Sequence, residues 1–509
     1  MNDTAKVRGR ALLASRGLVV VISLAPTLVY LFVALHRIGY PYELEWLEGG
    51  AVEIAGRVAH GQAIYVAPSI HYVPYPYTPL YFWVTGTLAR LTGVGFLPLR
   101  LVSLLSSLGA SALLARIVWR ETGDVVAGVV ASGLFSATFA VSGAWLDIGR
   151  VDSMALFLLL AALYRARHAR GICGGIVVGL LAFLAFMTKQ SALLAMAPVL
   201  VVLLVFRRRV GLPALATVAV LVVGSTYLLD VSSHGWYGYY AFQELLHQGE
   251  VSSVWRTFFT KDLWHAPWAI GLGLAALAVG VLYRRVASTD WLYWGSAIVG
   301  LLLSSLVSRL HSGGGQDVLI PAFAATALMG AFGYDAVLRA AKVARANGQG
   351  AGWLAMVPAA TGLVLALVVG LQIGALHYSP SRYVPTASDR AAGDHFIALV
   401  RRTPGPVIVA DHPYYETLAG KASWAQGESV HDIIRAGPSR ARTDLVTSIE
   451  TLLRSTQSVT VFADGRSSAL GPLSVPYFRL TSTKVFDCER CFYPVTDLKL
   501  RPAFLFVRR

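Results

Sequence analysis

The apolar positions of this chain come in long runs rather than in the short alternations of a soluble fold. The runs 18–38, 97–118, 124–142, 153–166, 172–187, 191–206, 212–229, 266–283, 291–307, 318–338 and 353–374 predict about eleven membrane-crossing helices, since about 20 residues cover the hydrocarbon core. Basic residues punctuate them in short clusters: Lys6 to Arg16, Arg116 with Arg120, Arg165 to Arg170, Arg207 to Arg209, Arg284 with Arg285, and Arg339 to Arg345. Such clusters mark the cytoplasmic side, so the N-terminus threads inside and everything beyond 374 lies outside. The first run has a basic flank and no small-residue cleavage site, and reads as an uncleaved signal-anchor. The apolar piece 80–91 is too short to cross and reads as interfacial or re-entrant. One span more or fewer at 80–91, 172–187 or 191–206 inverts everything downstream.

The pattern changes near 378. Pro, Asp, Arg and Ser return to soluble-protein frequencies, strand-like runs occur at 406–410, 458–463 and 503–508, and an amphipathic stretch fills 443–456. The expected fold class is therefore an α-helical polytopic membrane protein over 1–377 with a small C-terminal extracytoplasmic α/β domain over 378–509. In such a compartment Cys488 and Cys491 are expected to form a small disulfide loop, with a pair of free thiols as the alternative; a zinc site needs two further ligands that are not evident nearby. Cys173 is expected to be packing. Composition agrees with the membrane reading: only 14% of residues are charged, against about a quarter in soluble proteins. The net charge of +15 resides in the topology clusters, which argues against nucleic acid as a partner.

Sorting polar residues by expected side collects acids and bases on the outer face. The first loop, 39–95, holds Glu43, Glu45, Glu48, Glu53 and Arg57; later loops bring Trp145, Asp147, Arg150 and Asp152, then Lys189 and Gln190, then Arg309, His311 and Asp317. Ionisable groups so near hydrocarbon are costly unless they line a wet cavity or do chemistry. Leu47, Ala51, Ile54 and Val58 recur at helical spacing and predict a short helix in the interface plane. Glu45 and Glu48 share one side if that helix begins early, and Gly49-Gly50 leaves room for a ligand or another backbone. The run Tyr72-Val-Pro-Tyr75-Pro-Tyr77-Thr-Pro79-Leu-Tyr81-Phe82-Trp83 offers rings that stack on sugars or anchor at headgroup level. The plainer reading of the loop acids is that outer loops lack basic residues and so look acidic.

These residues, in this order, resemble the GT-C glycosyltransferases, and most nearly glycosyltransferase family 39, the protein O-mannosyltransferases and lipid A aminoarabinose transferases. The family's Asp-Glu-x-x-Tyr-Ala-Glu-Ile-Ala is echoed by Leu47-Glu48-Gly-Gly-Ala-Val-Glu53-Ile54-Ala55, and its Lys-Pro-Pro-Leu-Tyr-Tyr-Trp by Tyr77-Thr78-Pro79-Leu80-Tyr81-Phe82-Trp83. Arg150-Val-Asp152-Ser-Met-Ala-Leu-Phe and Phe186-Met-Thr-Lys189 resemble two later family segments, so the likeness covers roughly 18–335. The family's aspartate falls on Leu47 and its lysine on Tyr77, which marks a divergent relative.

The resemblance implies inverting transfer of a sugar from a polyprenyl-phosphate donor to an acceptor hydroxyl on a glycan, lipid or protein, at the outer face of the plasma (inner) membrane. A carboxylate assists the attacking hydroxyl, and Glu45 or Glu48 is the candidate base. Lys189, Arg150, Arg57 or Arg309 would meet the donor phosphate. Glu43, Asp147, Asp152, Tyr77, Tyr81, His311 and Asp317 are the candidate substrate-binding residues, with Asp147 and Asp152 either orienting the acceptor or pairing with Arg150. No His/Cys cluster has metal spacing, and a carboxylate-bound divalent cation is compatible but not required. A secondary transporter or lipid flippase is the rival class, and a non-catalytic scaffold is a third. Against a transporter, the charges gather at one face, and no pair of broken helices recurs in two halves.

Overall fold

The computed structural model describes residues 2–247, 249–282, 289–347, 357–456, 458–465, 478–482, 485–496 and 498–508, with side chains from Arg10 onward. Each of the eleven apolar runs falls mainly on a helix where it is described, except that 124–142 is helical only as far as Ala137; positions 283 and 353–356 fall outside the described residues. The first nine helices are α1 (Asn2–Arg37), α2 (Glu48–Ala59), α3 (Leu80–Thr92), α4 (Phe96–Thr122), α5 (Val125–Ala137), α6 (Asp152–His168), α7 (Gly171–Phe186), α8 (Ala192–Phe206) and α9 (Arg208–Ser232). Short helical turns follow between 236 and 265, then long helices Pro267–Leu282, Thr289–Leu310, Ile320–Asn347 and Val357–Ala375.

Among the described residues six helices are long and apolar enough to cross a membrane, or seven if the pair Val254–His265 and Pro267–Leu282, bent by 94°, forms one span. The protein is thus a multi-pass membrane protein; beside these, the shorter apolar helices Val125–Ala137, Gly171–Phe186 and Ala192–Phe206 coincide with three more of the runs expected to cross. The shortness of α5 has a local cause. At 1.5 Å per residue the 13 residues of α5 reach about 20 Å, short of the ~30 Å core. The run read as 124–142 stops at Ala137 because the chain turns there, with Gly143 and Ala144 at positive φ (75° and 61°). That turn carries Asp147 and Arg150 inward.

Polar contacts gather at the two ends of the helix array. At one end Arg16 grips Asp124, the N-cap of α5, and Arg167 bridges Glu121 and Asp290. At the other, Arg37 in the last turn of α1 grips Asp147. Arg16 and Arg37 stand about 32 Å apart along α1, which matches the hydrocarbon thickness.

The C-terminal region follows a helix, Ala387–Arg402, that opens with a Thr386/Asp389 capping box. Strands β1 (Val407–Val409), β2 (Thr460–Ala463), β3 (Phe478–Ser482) and β4 (Phe504–Arg508) form one sheet in the order β1-β2-β4-β3. β1 and β2 are parallel, as the intervening helices Gly427–Arg435 and Arg440–Ser455 require, and β4 runs antiparallel to β2 and β3. The sequence anticipates β1, β2, β4 and the amphipathic helix but not β3. Cys488 and Cys491 are paired, whereas Cys173 is exposed on the first turn of α7 rather than packed.

This region does not hang free. Tyr42 of the first loop packs into a cluster with Phe396, Tyr415 and Phe492, and Ala425 N–H bonds to the Ile70 carbonyl at 2.7 Å. The first loop is sandwiched between the helix ends and the C-terminal sheet.

Candidate active site

The segment 38–48, leaving α1, passes over the N-terminus of α4. There Arg100, fully buried, donates to the carbonyls of Tyr40 and Tyr42, each at 2.6 Å, and to both oxygens of Glu48 at 3.0 and 2.7 Å. Glu48 also accepts the N–H groups of Leu44 and Gly149, both at 2.7 Å. Burial alone raises the carboxyl's pKa, but Arg100 and the two N–H groups outweigh it and hold it below the usual range. Gly149 is needed for this approach, since a Cβ there would sit 3.3 Å from the Glu48 carboxylate and 3.2 Å from Leu99. Glu48 therefore ties together the first loop, α4 and the loop before α6.

Glu45 is equally buried but faces a different partner. Its carboxylate lies 3.9 Å from the Arg150 guanidinium. Arg150 donates to the Tyr77 hydroxyl at 3.0 Å and is ringed by Trp145, Tyr75 and Tyr77 at 4.9, 5.4 and 5.6 Å from the ring centres. Its Nε makes no hydrogen bond among the described residues. An aromatic cage excludes water and strengthens the charge inside it.

Tyr77 is the link to a second group, within electrostatic reach of Arg150, Lys189, Asp152 and Asp317. Lys189 donates to Asp152 at 2.5 Å and lies 3.6 Å from Asp317. Burial works against its charge, but the two aspartates outweigh it and keep the ammonium protonated. Asp152 and Lys189 border a narrow cleft of about 20 Å³, room for about one water, which continues between Leu156, Ser304 and Val318. The cleft is polar at the charged end and largely apolar beyond.

The remaining candidates lie elsewhere in the contact network. Asp147 pairs with Arg37 through two bonds of 2.8 and 2.6 Å, not with Arg150, and Asp152 pairs with Lys189. Arg57 donates to the Ala63 carbonyl and covers the Tyr72 ring, which fixes it to the first loop. Arg309 holds Asp262 and the Gly314 carbonyl, and His311 contacts the Leu245 carbonyl, so both brace the 245–265 turns. Tyr81 bonds to Leu99 O and Ser103 on α4, each at 3.0 Å, and so fastens α3 rather than facing Arg150. Gly49 and Gly50 admit the Glu43 carboxylate and the Tyr75 hydroxyl, side chains of the protein itself rather than a ligand or backbone. Glu43 reaches the C-terminal region and contacts His412 there, with Asp464 behind it.

Arg37, Arg100 and His412 are the residues that the sequence reading missed. Arg37 and Arg100 hide at the ends of apolar runs, where an arginine is itself the signal of a buried partner. Nothing local marks His412. Among the described residues no group of three or more His, Cys, Asp or Glu is arranged to hold a metal ion.

With that geometry in hand, two comparisons converge. Residues 74–229, which include Tyr77, Arg150, Asp152 and Lys189, match the family model described as dolichyl-phosphate-mannose-protein mannosyltransferase. The whole structure is similar to ArnT from Cupriavidus metallidurans in the apo state, with a TM-score of 0.57 and 15% identity over 97% of this chain and 98% of that one. The chain has the GT-C fold. ArnT bound to undecaprenyl phosphate superposes with a TM-score of 0.56 at 14% identity, over the same shares. The archaeal oligosaccharyltransferase AglB from Archaeoglobus fulgidus, in complex with an inhibitory peptide and a dolichol-phosphate, gives 0.50 at 12% identity over 87% of this chain and 69% of that one. No relative is found by sequence among curated proteins. At these identities the GT-C likeness is one of fold. The family-model match begins after the Glu43–Glu48 segment.

Proposed function

We propose that the chain is a membrane glycosyltransferase that moves a sugar from a polyprenyl-phosphate donor to an acceptor hydroxyl, with inversion at the anomeric carbon. The observation that carries this reading is Glu45 beside Arg150 within an aromatic cage, one tyrosine away from the Lys189 cleft. The fold match to ArnT with undecaprenyl phosphate and to AglB with a dolichol-phosphate supports a lipid phosphate as the leaving group.

Glu45 acts as the base, because all four bonds that Glu48 accepts come from the scaffold. The acceptor oxygen attacks the anomeric carbon, its proton passes to Glu45, and the bond from that carbon to the phosphate oxygen breaks. The lipid phosphate leaves with the electron pair. Arg150 and Lys189 meet the charge it gains, in a site where water is scarce. These cations supply the electrostatic stabilisation, so the mechanism needs no metal. The reaction then belongs to the non-cytoplasmic face of the plasma (inner) membrane, with the C-terminal domain on the same side and the acceptor a glycan, lipid or protein hydroxyl.

The test is a transfer assay in nanodiscs with a panel of polyprenyl-phosphate sugars, comparing wild type with Glu45→Gln. One donor should turn over, and the variant should lose about 10²–10⁴ in kcat with KM for the donor nearly unchanged. Full activity in Glu45→Gln would remove the base from this mechanism. A wild type that moves an intact lipid-linked sugar across the bilayer without cleaving it would point to a flippase.

A further inference from the structure

The candidate base sits on a segment gripped from both sides. On the membrane side, Glu48 and the Leu44 N–H are locked to one another and to Arg100. From the C-terminal region, Thr496 donates to the Leu44 carbonyl through its N–H at 3.0 Å and its hydroxyl at 2.6 Å. One residue earlier, the buried Glu43 side chain contacts His412 Nδ1. The other ring nitrogen of His412 lies 3.1 Å from both oxygens of Asp464. The Tyr415 ring stacks on the imidazole at 5.3 Å and 15°, and its hydroxyl accepts the Glu43 N–H at 3.4 Å. The result is a carboxylate–imidazole–carboxylate chain running from the first loop to the loop after β2.

We infer that His412, on the C-terminal region, is a positioning residue for transfer: it clasps Glu43 and thereby sets the segment that presents Glu45. This rests on the assignment of Glu45 as base. Glu45 lies two residues beyond Glu43 and three before Glu48, so its backbone is suspended between one anchor on each half of the molecule. A base displaced by 1 Å loses up to about a hundredfold in rate. The C-terminal region is on this view a wall of the active site.

Titratable groups surround the clasp. Glu43 faces His412, with Glu48 and Asp464 beyond; His412 faces Asp464 and Glu43; Asp411, next along the chain, faces Asp464, His412, Glu428 and Glu43. Glu416 on the adjoining helix Pro413–Leu418 also lies within reach of His412. Burial alone would discharge the imidazole, but Asp464 and Glu43 outweigh it, so His412 carries its proton at neutral pH.

The experiment uses the full chain in nanodiscs and two readouts. The first is amide hydrogen exchange of the peptide spanning 40–48 in wild type, His412→Ala, Glu43→Ala and a control, Thr417→Val. Thr417 contacts Glu53 at the same interface but away from the clasp. The second is steady-state transfer. His412→Ala and Glu43→Ala should each speed exchange across 40–48 at least tenfold. They should also lower kcat about 10- to 100-fold, with KM for the donor within about threefold. His412→Gln, which keeps a donor toward Glu43, should recover part of the loss. Thr417→Val should match wild type in both readouts. Unchanged exchange in His412→Ala overturns the clasp whatever the activity. Faster exchange with unchanged kcat overturns the positioning role while leaving the transferase reading intact. A wild type inactive on every donor removes both the transferase reading and the positioning role, and the exchange data still decide the clasp.

Discussion

Replacing Glu48 by glutamine separates a scaffold carboxylate from a catalytic one. Each Glu48 oxygen accepts two bonds, one from Arg100 and one from a backbone N–H. Glutamine keeps one acceptor oxygen and turns the other position into an NH₂ group that faces two donors. Two bonds are lost, and the Arg100 guanidinium, with none of its side chain exposed, is left without a countercharge. Breaking a buried pair in this way costs about 3–5 kcal/mol, a large share of the 5–15 kcal/mol that holds a typical domain together. Removing both charges, as in Glu48→Gln with Arg100→Met, should recover part of this. Recovery is incomplete because the Tyr40 and Tyr42 carbonyls lose their donors, at about 1–3 kcal/mol for each orphaned group. The assay is thermal unfolding in nanodiscs followed by tryptophan fluorescence, run beside transfer. Glu48→Gln should melt well below wild type, and the double variant in between. A Glu48→Gln protein that melts like wild type yet transfers no sugar would refute the scaffold assignment and make Glu48 the base.

Three further outcomes follow from the same contacts. Arg150→Lys should lower kcat by at least tenfold, because an ammonium cannot serve both the Tyr77 hydroxyl and Glu45 as the guanidinium fork does; wild-type kcat would argue against that role. Lys189→Met leaves Asp152 and Asp317 facing each other without a cation and should destabilise the fold, while Asp152→Asn on top of it should restore melting but not transfer; restored transfer would dismiss Lys189 as a phosphate partner. Burial lifts the Glu43 and Asp411 carboxyls to about 7, above their unfolded values, and His412 is also raised. All three shifts have one sign. The stability they give is full below the unfolded carboxyl pKa values and falls as pH rises through about 7, then further as His412 deprotonates. Exchange protection of 40–48 should therefore be greater at pH 5 than at pH 8, and a flat profile would contradict it.

The helices were legible because each is a continuous apolar run, and α2 was legible because Leu47, Ala51, Ile54 and Val58 keep helical spacing. The number of crossings was not. A run such as 124–142 looks long enough, but its last third is a turn that hydropathy does not distinguish from helix. The acids of the first loop, Arg150 and Lys189 stood out as charges beside hydrocarbon. Their partners were harder to read, since Asp147 meets Arg37 and Glu48 meets Arg100 across sequence separations of 110 and 52. Pairing at that distance depends on how helices pack, and no local pattern records it. His412 was invisible for the same reason, magnified by a separation of 369 from Glu43.

The bond between Leu44 and Thr496 joins residues 452 apart. At about 5–20 residues per second, a ribosome that has finished the first loop needs roughly 20–80 s more to reach Thr496. Throughout that interval the growing chain already carries its first-loop acids, yet lacks the parts that hold them in register. The order of synthesis thus acts as a timer: a chain released before Thr496 lacks the contact that secures the segment around Leu44, and on the proposed function has no assembled transfer site.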